Sequence, residues 1–254
     1  MKYIKIGIMF IFILITFYFS DKLLLYVENL SPLMKSVKEH ASDDLLPVNA
    51  IIDGNTIIPG KKGKSVYIRE SYLKMNEFRV FNETFYVYDY IKPDISLDDN
   101  LDKVIIKGSK DNLISIIVDN KLLEEYLLSK DIKFNKVIKS KDDIESKSIE
   151  YINGNKDIKG FEELNLYFKR DKINKKICLI GYSSNEYCYK NNYYKVKPSI
   201  DIYSSNLVRD KNNISSGDIV FIHDNLSLSE GKILINSILS KRLEIVYLSD
   251  LISE

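Results

Sequence analysis

Chemistry in this chain would have to come from very few groups. Two histidines, His40 and His223, and two cysteines, Cys178 and Cys188, are all that 254 residues provide of those types. Two apolar runs end on polar pairs: Ile116-Ile117-Val118 runs into Asp119-Asn120, and Ile219-Val220-Phe221-Ile222 runs into His223-Asp224. A carboxylate and an imidazole just past the ends of strands stand where parallel α/β folds build their sites. Each pair also has a plainer reading, because Asn and Asp favour the position that caps a following helix.

Other chemical readings are weaker. The cysteines show no metal spacing; two free, half-buried thiols are the simpler expectation, and pairing across the ten-residue loop is open to them in an oxidising compartment. Pro59-Gly60-Lys61-Lys62-Gly63-Lys64-Ser65 ends in Gly-Lys-Ser, but a phosphate loop needs a glycine where Ile58 sits and a helix directly afterwards. The β-rich Val66-Tyr67-Ile68 follows instead, so a basic surface turn is expected. Tyr182, Tyr187, Tyr189, Tyr193 and Tyr194 cluster in sequence and read either as half-buried packing or as a sugar-stacking shelf, with Tyr187 and Tyr189 its binding candidates.

The elements that must position these groups follow from composition and pattern. With 45% apolar and 29% charged residues, the chain can bury one sizeable core plus a small module. Lys and Arg (37) balance Asp and Glu (36), so no overall field exists to recruit nucleic acid. From Asn112 onward, β-rich runs alternate with helical stretches. Runs at 113–118, 134–138, 176–182, 194–196, 200–203, 218–222 and 244–248 are separated by helices over 122–129, near 142–145, 161–169 and 229–241. That rhythm predicts parallel strands covered by helices. Upstream, Asn49 to Ile58 around Asp53-Gly54-Asn55 predicts a hairpin. A helix over 70–77 and strands at 85–90 and 104–107 complete a small β-containing module over 46–110.

The N terminus reads as an anchor. After the basic Met1-Lys2-Tyr3-Ile4-Lys5, residues 6–20 carry no charge, and Leu23 to Val27 extend the apolar stretch past Asp21-Lys22. This predicts a single-pass signal-anchor helix near 4–27, with Lys2 and Lys5 holding the N terminus inside and the remainder exported. A cleaved signal peptide is the competing reading, but bulky Leu, Tyr and Glu stand where a peptidase requires small residues. A stalk helix with Pro32 as a kink leads to His40, so 1–40 forms anchor and stalk, and Ala41 to Leu46 a short linker. The expected location is the cell membrane, with the bulk of the chain extracytoplasmic.

The C-terminal pattern then carries a resemblance. Gly217-Asp218-Ile219-Val220-Phe221-Ile222-His223-Asp224, a helix, and Leu243-Glu244-Ile245-Val246-Tyr247-Leu248-Ser249-Asp250-Leu251 resemble the C-terminal end of polysaccharide deacetylases of the NodB-homology class. Ile117-Val118-Asp119-Asn120 is similar to their opening motif, and the similarity covers about residues 112–254. It implies a degenerate irregular (β/α) barrel of the polysaccharide-deacetylase type over 111–254. It also implies a divalent metal such as zinc held by one Asp and two His, with Asp119 matching the general base and His223 the general acid.

Where the chain departs from the pattern, the implied chemistry fails. Asn120 stands where the resemblance implies a metal-binding Asp. Ser148 to Asn155 contains no histidine where a His-x-x-x-His pair would fall, and the Arg-x-Pro-Tyr motif is missing. A catalytic zinc needs three protein ligands, and an acid/base pair alone supplies only about 10²–10⁴-fold. The expectation is therefore a protein with catalytic positions Asp119 and His223, binding positions Asn120, Tyr187 and Tyr189, no metal and no other cofactor. It would bind a cell-wall or surface glycan, or a protein partner, without hydrolysing it. The alternatives are an active metal-dependent deacetylase that recruits Glu150 or Asp157, and a purely structural membrane protein.

Overall fold

A computed structural model describes residues 2–41, 45–171 and 176–254. In chain order the elements are α1 (Lys2–Leu30), α2 (Pro32–His40), β1 (Ile51–Asp53), β2 (Thr56–Ile58), β3 (Gly63–Val66), α3 (Ile68–Phe78), β4 (Tyr88–Ile91) and β5 (Val104–Ile105). Next come β6 (Leu113–Val118), α4 (Lys121–Ser129), β7 (Asn135–Ile138), β8 (Glu150–Asn153), α5 (Ile158–Asp171), β9 (Ile177–Leu179), α6 (Asn185–Lys190) and β10 (Tyr194–Val196). The last are β11 (Ile200–Ile202), α7 (Leu207–Asp210), β12 (Ile219–Ile222), α8 (Leu228–Ser240), β13 (Glu244–Ile245) and α9 (Leu248–Ile252). Two compact units result, one of residues 1–47 and 62–91 and the other of 48–61 and 92–254. The stretch read from sequence as a module over 46–110 is thus divided between them.

The smaller unit is built on helix packing beside a two-stranded antiparallel ribbon, β3 with β4. Met34 and Val37 of α2 bury against Tyr72 and Met75 of α3, a contact that the spacing of apolar residues on both helices produces. Pro32 occupies the first turn of α2, where its missing N–H costs nothing. The expected anchor lies in α1. Among the described residues no helix is long and apolar enough to cross a membrane; Met1 and the side chains of residues 2–8, Phe10 and Phe12 lie outside the description. Met9, Ile11, Leu14, Phe17 and Phe19 are exposed along that helix. Of the expected linker, residues 42–44 also lie outside it.

The larger unit carries two sheets in which parallel pairing dominates. One has the order β11-β12-β6-β7-β8 with β13 also on β6, and every pair is parallel. The other runs β1-β2-β5-β10-β9, with the β1/β2 hairpin turning at Gly54 (φ 55°) as the Asp-Gly-Asn signal predicts. Alternating burial from β6 and β12 feeds two cores. Ile114, Ile116, Val118, Val220 and Ile222 face α4 and α8, while Ile117, Ile219 and Phe221 face the other sheet. Strands buried on both faces read as unbroken apolar runs, which is why these two were visible in sequence.

Four expectations are corrected. β8 was not anticipated, because its ends are polar; Glu150 accepts from the Ser249 N–H (2.9 Å) and Asn153 donates to the Phe161 carbonyl (2.9 Å), so both buried groups are hydrogen-bonded. The helix near 142–145 is one 3₁₀ turn, Lys141–Asp143, closed by a Ser140/Asp143 capping box. The strand over 85–90 begins only at Tyr88, after a 3₁₀ turn capped by Asn82. Cys178 and Cys188 are not free thiols: they form a disulfide between β9 and α6, with Cα atoms 6.3 Å apart, inside a cluster of Phe161, Tyr187 and Tyr193.

Two stability predictions follow from that cluster. Replacing both cysteines by alanine should lower unfolding stability by about 2–3 kcal/mol, the loop entropy a ten-residue closure removes from the unfolded chain; an unchanged urea midpoint would contradict it. Burial pushes the hydroxyls of Tyr193 and Tyr194 up from about 10 to about 12, with Asp98 adding to the effect at Tyr194. A raised folded-state pKa gives stability that is complete below pH 10 and lost as pH rises toward 12. Tyr193→Phe should therefore flatten the alkaline decline in a pH series of urea melts.

Candidate functional site

The parallel register brings the ends of the central strands together. Val118 is opposite Ile222, and the Asp119 N–H donates to the Ile222 carbonyl (3.0 Å), so Asp119 and His223 emerge as neighbours. β11 pairs with β12 such that Ile202 is opposite Ile222, and the His223 N–H donates to the Ile202 carbonyl (3.1 Å). Asp201 and Tyr203 flank Ile202 and complete the group. His223 Nε2 meets Asp201 Oδ1 at 3.1 Å, and the imidazole stacks on Tyr203 with centroids 3.9 Å apart and planes 12° from parallel. Phe221 tilts against the same imidazole at 4.5 Å and stacks on Tyr182 at 5.0 Å.

The result is an aromatic shelf of Tyr182, His223 and Tyr203 resting on the buried Phe221 and edged by two carboxylates. The His223 side chain is only 13% exposed, whereas Asp201 is 52% exposed and Asp119 faces solvent. Burial pushes the Tyr182 hydroxyl above its ordinary value, and the charge of Asp201, the Tyr203 hydroxyl and the charge of Asp119 add to the effect. An imidazole oriented by a carboxylate can hold or move a proton, and stacked rings with polar tips suit the face of a sugar.

Asn120 does something different from its neighbours. It is buried, its Oδ1 accepts from the Leu123 N–H (3.0 Å), and its Nδ2 donates to the carbonyls of Asp224 (3.1 Å) and Leu226 (2.8 Å). The capping reading holds for Asn120. It fails for His223-Asp224, since α8 is capped by Ser227 through a capping box with Glu230. A carboxylate at position 120 could not donate to two carbonyls, so the amide is demanded by its surroundings.

The implied metal does not fit these residues. Among the described residues no group of three His, Cys, Asp or Glu side chains is placed to hold an ion. Asn120 spends both amide hydrogens on the backbone. Where a His pair would fall, Asn153 is fully buried, donating to the Phe161 carbonyl and to Asn165 Oδ1 (3.2 Å), and Asn165 donates to the Tyr193 hydroxyl (3.1 Å). Glu150 accepts from the Ser249 N–H, and Asp157 accepts from the Gly160 N–H at the start of α5. His40 belongs to the smaller unit, where it meets Phe81 at 4.9 Å.

The tyrosine candidates separate. Tyr187 packs on Phe161 (5.0 Å) and Tyr193 (5.8 Å) beside the disulfide, and the Lys195 ammonium covers the ring of Tyr189 at 3.4 Å. Neither belongs to the shelf, whereas Tyr182 does. Asp201 and Tyr203 were missed by sequence reasoning, although the end of the run Ile200 to Tyr203 next to a parallel partner was the available signal.

Comparison with known proteins agrees with this geometry. No family model matches the chain. A CE4 family pseudoenzyme from Bacillus anthracis, BA3943, superposes with a TM-score of 0.58 at 17% identity, over 88% of this chain and 96% of that one. The chain has the CE4 fold. A mutant of BA3943 with restored enzymatic activity gives 0.55 at 16% identity, over 88% and 99%. In sequence, the uncharacterized protein YlxY of Bacillus subtilis is 34% identical over 103 residues, 38% of this chain. The chain matches about a third, 32%, of the length of that curated relative.

Asn120→Asp should cost about 1–3 kcal/mol, because the buried Leu226 carbonyl and the part-buried Asp224 carbonyl lose their donors and face a carboxylate. Chemical denaturation with and without zinc checks this. A variant as stable as the parent that also gained zinc affinity would show that the amide is not what closes the site.

Proposed function

We propose that this protein is a CE4-fold pseudoenzyme of the cell envelope that binds a glycan on the Tyr182, His223 and Tyr203 shelf without hydrolysing it. The observation that carries the reading is the clasp made by Asn120, whose amide hydrogens are committed to the Asp224 and Leu226 carbonyls. With no electrophile for a carbonyl oxygen, the His223 and Asp201 pair can position a ligand but lacks most of the rate enhancement that acyl hydrolysis requires. The structural neighbour described as a CE4 pseudoenzyme supports the same direction.

The protein is held in the membrane by α1, with the rest exported. The uncharged run 6–20, the basic residues before it and the exposed apolar side chains along α1 support this. So does the Cys178–Cys188 disulfide, since such bonds persist in oxidising compartments.

The test is acetate release from N-acetylated oligosaccharides and peptidoglycan by the full chain in detergent, with zinc, cobalt or no added metal, alongside chitotetraose binding by calorimetry. We expect no acetate, and binding that weakens about tenfold or more in Tyr203→Ala. Metal-dependent release that disappears in His223→Ala would replace this reading with the active deacetylase.

A further inference from the structure

A second concave surface lies past the end of β7. It is a groove of about 570 Å³ between the turn at 139–141 and one face of α5. Gly160, Glu163, Leu164, Tyr167 and Arg170 recur at helical spacing and so line a single side of that helix. Lys139 and Lys141 line the opposite wall and bring two ammonium groups to a groove whose one lining carboxylate is Glu163. Because the chain as a whole is nearly neutral, this local excess is not a by-product of general basicity.

The wall bearing the lysines is built to hold still. The Lys139 N–H donates to Asp143 Oδ2 (3.2 Å) and its carbonyl accepts from Asn155 Nδ2 (2.9 Å), while the Ser140 N–H donates to the same Asp143 carboxylate (3.0 Å). Asp143 is thereby spent on backbone, and Asp142 accepts from the Ser140 hydroxyl (3.3 Å); neither acid lines the groove. Among the described residues no carboxylate lies within ion-pair distance of Lys139 or Lys141. On the other wall the Arg170 guanidinium rests over the Tyr167 ring, 5.1 Å from its centroid.

We infer that this groove is a binding subsite for an anionic group, a phosphate ester or a carboxylate, carried on a polysaccharide. The anionic specificity stands on the groove alone; that the carrier is a glycan rests on the function proposed above. β7 is hydrogen-bonded to β6, whose end carries Asp119, and both strands present their carboxyl ends to the same side. One extended polymer can therefore reach the shelf with neutral sugar rings and the groove with its charged substituents.

The probes are poly(glycerol phosphate) and oligogalacturonate of matched charge, with chitotetraose as the neutral ligand and a single-stranded DNA oligonucleotide as an unrelated polyanion, each titrated into the full chain in detergent. Binding of at least one of the two glycan-type polyanions should weaken about tenfold in Lys139→Ala/Lys141→Ala and survive in Lys139→Arg/Lys141→Arg. It should tighten two- to threefold in Glu163→Gln and fall with added salt. Whichever polymer binds identifies the anionic group. Binding by neither polymer, binding indifferent to the lysines in a variant that melts like the parent, or equally tight capture of the oligonucleotide would overturn the proposal. Chitotetraose affinity should not respond to the lysine substitutions, so failure of the shelf and failure of the groove are read separately.

Discussion

A buried carboxamide must find partners for an acceptor and two donors, and at Asn120 that requirement ties the two central strands together. Its oxygen starts α4, and its nitrogen reaches across to the loop that follows β12. The strands it joins set the whole strand-end surface: Asp119 is the residue before it, His223 the residue before the loop it grips. An amide satisfied on all sides is stabilising, whereas a half-satisfied one is costly, so the arrangement leaves little freedom at position 120. The same bonds that give the sheet end its order remove a side chain that could hold a metal.

Buried amides recur through the larger unit in the same capacity. Asn135 donates to Ser115 Oγ and the Ile116 carbonyl and accepts from the Leu248 N–H, so that β6, β7 and α9 share one residue. Asn153 and Asn165 connect β8, α5 and Tyr193. Rigidity is the physical outcome.

Much of the fold was legible because strands buried on both faces write themselves as apolar runs. β6 and β12 were read to the residue or nearly so, and α4, α5 and α8 to within a few. β8 was illegible because Glu150 and Asn153 are polar yet buried, and their partners, Ser249 and Phe161, lie elsewhere in the chain. Of the site, Asp119 and His223 could be found at strand ends. Asp201 and Tyr203 could not be joined to them without knowing that β11 lies beside β12. The cysteine pairing likewise depends on α6, a short helix whose Tyr-rich sequence carried no periodic signal.

The clasp between Asn120 and the Asp224 carbonyl joins residues 104 positions apart. It forms only once β12 has come back beside β6, past the intervening β7 to β11. Each intervening strand is parallel to its neighbour, so none can be finished by a local hairpin. Contacts of such sequence range give slow folding and long-lived unpaired apolar edges. Until β12 arrives, the edge of β6 that it covers stays open, and that edge is where assistance from a folding helper would matter most.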